Sequence, residues 1–225
     1  MDTFKQHEIF EIEVLDRMKS AKLLDLLVFG GGTMLRLCHE LPRYSVDLDF
    51  WFIKKTPHEA YLDRLRRVFE KDFEITDAQI KHYTLLLEVR TPQYPRRLKI
   101  EIRREMKECD FQDKIAFSRY AAKQVMLRAH TLEQTMKNKI AAFLDRGEIR
   151  DCFDIEFMLR RGISLPALDA QQATGFQKKL AGLKDKDFKV KLGSILESEV
   201  RDYYSANRFS YLQENLRAEN TKKGK

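Results

Sequence analysis

Between residues 46 and 53 the chain alternates, with Val46, Leu48, Phe50 and Phe52 on one side and Asp47, Asp49, Trp51 and Ile53 on the other. A two-residue period predicts a β-strand with one apolar face. Upstream, Leu23–Phe29 (LLDLLVF) is a nearly unbroken apolar run and predicts a buried strand, followed by Gly30–Gly32 and a helix beginning at Thr33. Before it, residues 4–22 place Phe4, Ile9, Phe10, Ile12, Val14, Leu15 and Met18 in one stripe at helical spacing. After the alternating strand, Pro57 suits a first helical turn, and an amphipathic helix runs on through HEAYLDRLRRVFEK. Three strand-like runs follow at 73–81, 84–90 and 97–105.

Residues 110–130 read as a linking segment with room for another pair of short elements. From Thr131 the spacing is helical: Thr131-Leu-Glu-Gln134 fits a capping box, and amphipathic runs cover 164–183, 186–200 and 201–217. Asn220–Lys225 is expected to fray. The expectation is an α+β protein, with a sheet domain over 1–112 and a helical domain over 113–225.

Charge sharpens that division. The net charge of +7 is uneven: residues 1–113 hold 20 Lys and Arg against 21 Asp and Glu, and residues 114–225 hold 22 against 14. A near-neutral half joined to a basic one points to an anionic partner held mainly by the second, with nucleic acid the expected kind. Cys38, Cys109 and Cys152 are odd in number, far apart and without a CxxC pair, which speaks for reduced thiols rather than a disulfide framework or zinc site. The five histidines are scattered. No apolar run reaches the length of a membrane span, and MDTFKQHEIFEIE lacks the basic-then-apolar order of a signal peptide, so a cytoplasmic protein is expected.

Two stretches carry candidate chemistry. In the first, Asp47 and Asp49 leave the same strand face about 6–7 Å apart, where they repel unless a cation lies between them; hard carboxylate oxygens suit Mg²⁺. Just before them, Gly30–Gly32 feed a helix N-terminus, whose outward N–H groups make a seat for phosphate. In RLKIEIRRE (97–105), Glu101 alternates with Leu98, Ile100 and Ile102 and so projects from the polar face; Glu105 and Glu88 are the fallback acids. In the second stretch, MKNKIAAFLDRGEIRDCFDIEFMLRRG (136–162), Lys139 and Arg146 share a helix face, and Gly147 interrupts the helix ahead of Arg150, Asp151 and Asp154. Basic and acidic groups at these spacings also fit a salt-bridge network on a helical hairpin.

The segment GGTMLRLCHELPRYSVDLDF resembles the DNA polymerase β-like nucleotidyltransferases and, more narrowly, the AbiEii/AbiGii nucleotidyltransferase toxins of type IV toxin–antitoxin systems. These carry a second motif, K-[IL]-x-A-x-x-x-R-x-x-x-R-D-x-x-D-[LI], which the chain matches at every spacing with Lys139-Ile140, Ala142, Arg146, Arg150-Asp151 and Asp154-Ile155. Thr33 stands where the superfamily often has Ser and keeps the hydroxyl. The resemblance implies a mixed-sheet nucleotidyltransferase domain and transfer of a nucleotide from an NTP to an acceptor. Asp47, Asp49 and Glu101 would hold one or two Mg²⁺, with Glu101 as metal ligand or base. Gly31, Gly32 and Thr33 would grip phosphates, and Lys139 would neutralise the triphosphate with help from Arg146 and Arg150. Asp151 would orient Lys139 or the nucleotide, and Asp154 would brace the helices. The expected acceptor is RNA, with tRNA favoured; a protein acceptor and a non-catalytic binding module are the alternatives. A cognate antitoxin is implied as a partner.

Overall fold

A computed structural model describes residues 2–223, and their side chains as far as Ala218. The chain divides into two compact units: residues 1–40 with 44–131, and residues 132–225 together with the short excursion 41–43. The expected boundary at 112 therefore falls inside a strand. Residues 110–130 hold the pair of short elements for which the segment had room, a hairpin of β6 (Phe111–Phe117) and β7 (Gln124–His130), whose inward positions Val125, Leu127 and Ala129 are buried.

The first unit is built on a seven-stranded sheet in the order β3-β4-β5-β2-β1-β7-β6. Its other strands are β1 (Leu27–Gly30), β2 (Asp47–Phe52), β3 (Glu74–Ile80), β4 (Thr84–Arg90) and β5 (Leu98–Arg103). The sheet is mixed: β2 is antiparallel to β1 and parallel to β5, and β1 is parallel to β7. β2 buries alternate residues as its period predicts, with Leu48, Phe50 and Phe52 at most 1% exposed. Three helices pack on this unit's strands: α1 (Thr3–Ser20), α2 (Gly31–His39) and α3 (His58–Phe69). Pro57 caps α3 from the position before its first turn. The apolar run from Leu23 is not all strand. Leu24–Leu26 make a single 3₁₀ turn, with Asp25 exposed, and pairing begins only at Leu27.

The second unit is helical: α4 (Leu132–Arg146), α5 (Ile149–Arg160), α6 (Ala170–Ala181), α7 (Ser198–Asn207) and α8 (Ser210–Lys223), with one π-helical turn at Asp187–Leu192. Phe143, Phe153, Phe176 and Phe209 fill its core. Asp169 caps α6 with a capping box closed by Gln172. The tail expected to fray stays helical to Lys223, and its last two residues lie outside the described ones. The three cysteines are free thiols.

Candidate active site

The first site grows out of a strand-to-helix turn. β1 ends at Gly30 and α2 begins at Gly31, whose φ of +73° lies in the left-handed region that favours glycine. A side chain there would also run into the Asp49 carboxylate, so the turn can pass this close to β2 only without a Cβ. The first-turn N–H groups of α2, at Gly31, Gly32 and Thr33, have no intrahelical partner and point away from the helix with its positive dipole end. The Thr33 hydroxyl is buried and donates to the Asp47 carbonyl at 2.6 Å, so it ties the turn to β2, and what Thr33 offers an anion is its backbone N–H.

Asp47 and Asp49 leave one face of β2, both half-buried. Strand register completes the row: Asp49 stands opposite Glu101 on β5 and opposite Gly30 on β1. Among the three candidate acids, this register singles out Glu101. Glu88 is engaged by the Thr76 hydroxyl at 2.7 Å and by Arg97 at 3.1 Å, which hold its carboxyl below the usual range. Glu105 lies beyond the end of β5 and pairs with Lys107 at 3.0 Å. Glu101 has Lys99 beside it at 4.0 Å and stays 30% exposed. Among the described residues no three His, Cys, Asp or Glu side chains close into a ready-made metal cage. A pair of strand carboxylates with a third in register still suits Mg²⁺, which usually takes one or two protein carboxylates and fills its shell with water and substrate phosphate.

Behind β2 lies a buried polar group that periodicity did not reveal. His7 on α1 donates from Nε2 to the Val46 carbonyl at 3.0 Å, and Glu8 pairs with Arg36 of α2 at 2.9 Å. Both carbonyls leading into the acid strand, at 46 and 47, are thus held by side chains from the helices. Glu11, 1% exposed, has its carboxyl pushed well above the usual range by burial and then by the neighbouring Glu8 charge. The same burial lowers His7, which is held as a neutral ring. The signal available in sequence was polar residues interleaved in the apolar stripe of α1.

In the second unit, Gly147 at φ +69° ends α4 and turns the chain into α5. This brings Lys139 and Arg146 of α4 against Asp151 and Asp154 of α5. Lys139 Nζ lies 2.6 Å from Asp154 and 3.2 Å from Asp151, and the Arg146 guanidinium forks onto Asp151 at 2.8 and 2.9 Å. Both aspartates are fully buried. Arg43, from the 41–43 excursion, grips Asp154 with two bonds of 2.6 Å each. Sequence reasoning missed Arg43, since its partner is 111 residues away. Burial alone would raise the Asp154 carboxyl, but Arg43 and then Lys139 outweigh it and hold the group below its ordinary value. Arg150 is exposed, and among the described residues Lys139, Arg146 and Arg43 are the cations that meet the two acids.

The family model for the "Nucleotidyl transferase AbiEii toxin, Type IV TA system" matches residues 13–218. The chain belongs to the AbiEii family. It is a nucleotidyltransferase with an α+β nucleotidyltransferase fold, as the two motifs implied. Among solved structures, JHP933 from Helicobacter pylori is similar over 96% of each chain at 22% identity with a TM-score of 0.57, a likeness of fold. The nucleotidyltransferase toxin MenT4 from Mycobacterium tuberculosis aligns over 92% of this chain and 85% of its own at 16% identity, with a TM-score of 0.48. Among curated proteins none matches this AbiEii sequence. No described helix is long and apolar enough to cross a membrane.

Proposed function

We propose that this AbiEii-type enzyme transfers a nucleoside monophosphate from a Mg²⁺-bound NTP to RNA, with tRNA as the acceptor: an acceptor hydroxyl forms the new bond to the α-phosphorus and pyrophosphate leaves. The observation that carries the reading is the acid row beside the glycine turn. Asp47 and Asp49 share one strand face, Glu101 stands in register, and Gly31 lets a helix N-terminus come within contact of Asp49. One segment thereby supplies oxygen ligands for a divalent ion and N–H donors for the phosphates it accompanies.

Asp47, Asp49 and Glu101 would hold Mg²⁺, which would supply positive charge at the phosphates and a lowered pKa at the attacking hydroxyl. The protein groups do the rest. Asp47 and Asp49 hold the ion, and Glu101 is a third ligand or takes the proton from the acceptor hydroxyl. Gly31, Gly32 and Thr33 donate backbone N–H groups to phosphate. Lys139 carries three protons, two of them directed at Asp151 and Asp154, which leaves one for an anionic oxygen. Asp151 fixes the Lys139 ammonium and the Arg146 fork, Asp154 braces α4 against α5, and the exposed Arg150 is left for a phosphate of the NTP or the acceptor.

The basic excess of residues 114–225 supports a polyanionic acceptor. The family context supports an antitoxin protein as the binding partner that restrains the enzyme. The test is incubation of the pure protein with each of four labelled NTPs, Mg²⁺ and total RNA. Label in a tRNA-sized band is expected, dependent on Mg²⁺ and on Asp49. Label in protein and none in RNA would refute the acceptor, and no label at all would refute NMP transfer.

A further inference from the structure

The row of residues that crosses the sheet at the acid site does not stop at Gly30. β1 and β7 run parallel with Phe29 opposite Ala129, which sets His130 beside Gly30. On the next strand His130 stands opposite Phe111. One line across five strands therefore reads Glu101, Asp49, Gly30, His130, Phe111. Gly30 contributes no side chain, and β2 and β7 are about 10 Å apart across it. His130 Nδ1 would lie 2.8 Å from a Cβ placed on Gly30, so the ring leans over the glycine toward the acid side. Trp51 leans over the same glycine from β2 and packs on the His130 ring with centroids 4.7 Å apart.

His130 is 1% exposed, and neither ring nitrogen meets a hydrogen-bond partner among the described residues. A neutral imidazole always carries one N–H, and a buried donor left unpaired loses its hydration without compensation. Buried groups of this kind are rare and call for an explanation by strain, catalysis or a bound group. Here the orphaned donor lies in the same row as the predicted metal acids and one strand from the phosphate-seating turn. Burial pushes its pKa down to about 4, so the ring is neutral at physiological pH and always holds a single N–H.

We infer that His130 is a nucleotide-contacting residue, its ring N–H donating to an oxygen of the nucleoside triphosphate bound at the acid row. This rests on the nucleotide-site reading above. The oxygen belongs either to the phosphate chain or to the ribose, and both accept the same bond.

Trp51 is the single tryptophan of the chain, so its fluorescence reports directly on this corner. Mg²⁺ with an NTP, and Mg²⁺ with inorganic triphosphate, are titrated into wild type, His130→Phe and His130→Asn, with the melting temperature of each measured alongside. His130→Phe keeps a ring against Trp51 and removes the donor; its affinity is expected to fall roughly 10- to 100-fold, as for a lost hydrogen bond to a charged or strongly polar oxygen. His130→Asn retains a donor and is expected to recover most of that loss. A deficit seen with both ligands assigns the phosphate chain, and one seen only with the NTP assigns the ribose. In wild type, a ¹H–¹⁵N spectrum of the histidine rings adds a readout independent of how the variants fold: the His130 resonance, identified by its loss in His130→Asn, shifts when the NTP binds. An unshifted His130 resonance at saturating NTP, or a His130→Phe protein that binds within twofold of wild type, overturns the assignment while leaving the nucleotide site standing. A wild type that neither binds nor transfers an NTP removes both readings together.

Discussion

The two halves of this molecule treat aspartate in opposite ways. On β2, Asp47 and Asp49 share one half-buried strand face, with Lys99 of β5 opposite Asp47, Glu101 opposite Asp49, and the Lys99 ammonium 4.0 Å from the Glu101 carboxylate. On α5, Asp151 and Asp154 are fully buried, and Lys139, Arg146 and Arg43 meet them at 2.6–3.2 Å. The first arrangement gathers acids on one partly exposed strand face, where a bound cation would offset their repulsion. The second is closed on itself and holds helices and a loop in place. Exchanging Asp for Asn should therefore separate chemistry from stability, and it does so in different directions in the two places.

The largest effect belongs to β2. Asp49→Asn removes a proposed metal ligand and a source of repulsion together. NMP transfer is expected to drop by a factor on the order of 10³ or more, as for loss of a metal-binding acid. The melting temperature is expected to stay level or rise. Transfer within tenfold of wild type, measured with labelled NTP, would remove Asp49 from the site. A variant that loses activity only because it melts early would erase the contrast with α5.

Asp154→Asn is the counterpart. It removes the carboxylate that Arg43 and Lys139 share, leaving Lys139 with Asp151, and breaking a buried pair on one side costs about 3–5 kcal/mol. Urea unfolding should show that loss in the second unit. The double change Arg43→Met with Asp154→Leu removes both partners of the tightest pair and should be milder than Asp154→Asn alone, since no charge is stranded at position 43. If the double variant is instead the worse of the two, the network stabilises by net attraction rather than by mutual compensation.

This contrast also explains what could be read in advance. The alternation around Asp47 and Asp49 and the glycines before them are local patterns: the strand stands where the spacing put it, and the helix begins at Gly31, two residues ahead of the expected Thr33. Glu101 could be chosen from its own alternation, although only register shows it facing Asp49. Arg43 was out of reach because its pairing with Asp154 closes a loop of more than a hundred residues, and no periodicity extends that far. The β6–β7 hairpin was obscured by its edge position. Phe111, Ile115 and Met126 are exposed, so apolar residues sit on both faces and blur the two-residue period. His130 has no motif around it, and its place beside Gly30 is fixed by parallel pairing of strands about a hundred residues apart.

A smaller effect is expected at the turn. Gly31→Ala places a side chain at φ +73°, where an L-residue costs about 1–2 kcal/mol, and pushes it against the Asp49 carboxylate. Stability should fall by about that amount, and transfer should fall further than stability because Asp49 is displaced. Gly162→Ala is the control: it also has positive φ, at +84°, but a Cβ there meets nothing within 4 Å. Equal loss of activity in the two variants would mean that backbone strain, and not the approach to Asp49, is what the glycine relieves.

The mildest change distinguishes the two regions by pH. Asp154 has a folded pKa held below the ordinary aspartate value of 3.8, so its stabilising contribution is complete above that value and is lost as pH falls through the depressed one. Glu11, behind the acid strand, is the reverse. Its folded pKa is raised well above 4.5, chiefly by burial, so folding retains a proton that the unfolded chain gives up. Its contribution is favourable below 4.5 and declines as pH rises from there toward the raised value. Glu11→Gln keeps the shape of the protonated acid and removes the titration. The variant's stability relative to wild type should therefore increase with pH, from near parity at pH 4 to a gain at pH 8 in urea midpoints. A gain that is constant across that range would show that Glu11 is ionised in the folded protein, with His7 at 3.6 Å as its partner, and the first unit would then hold a compensated buried acid like those of the second.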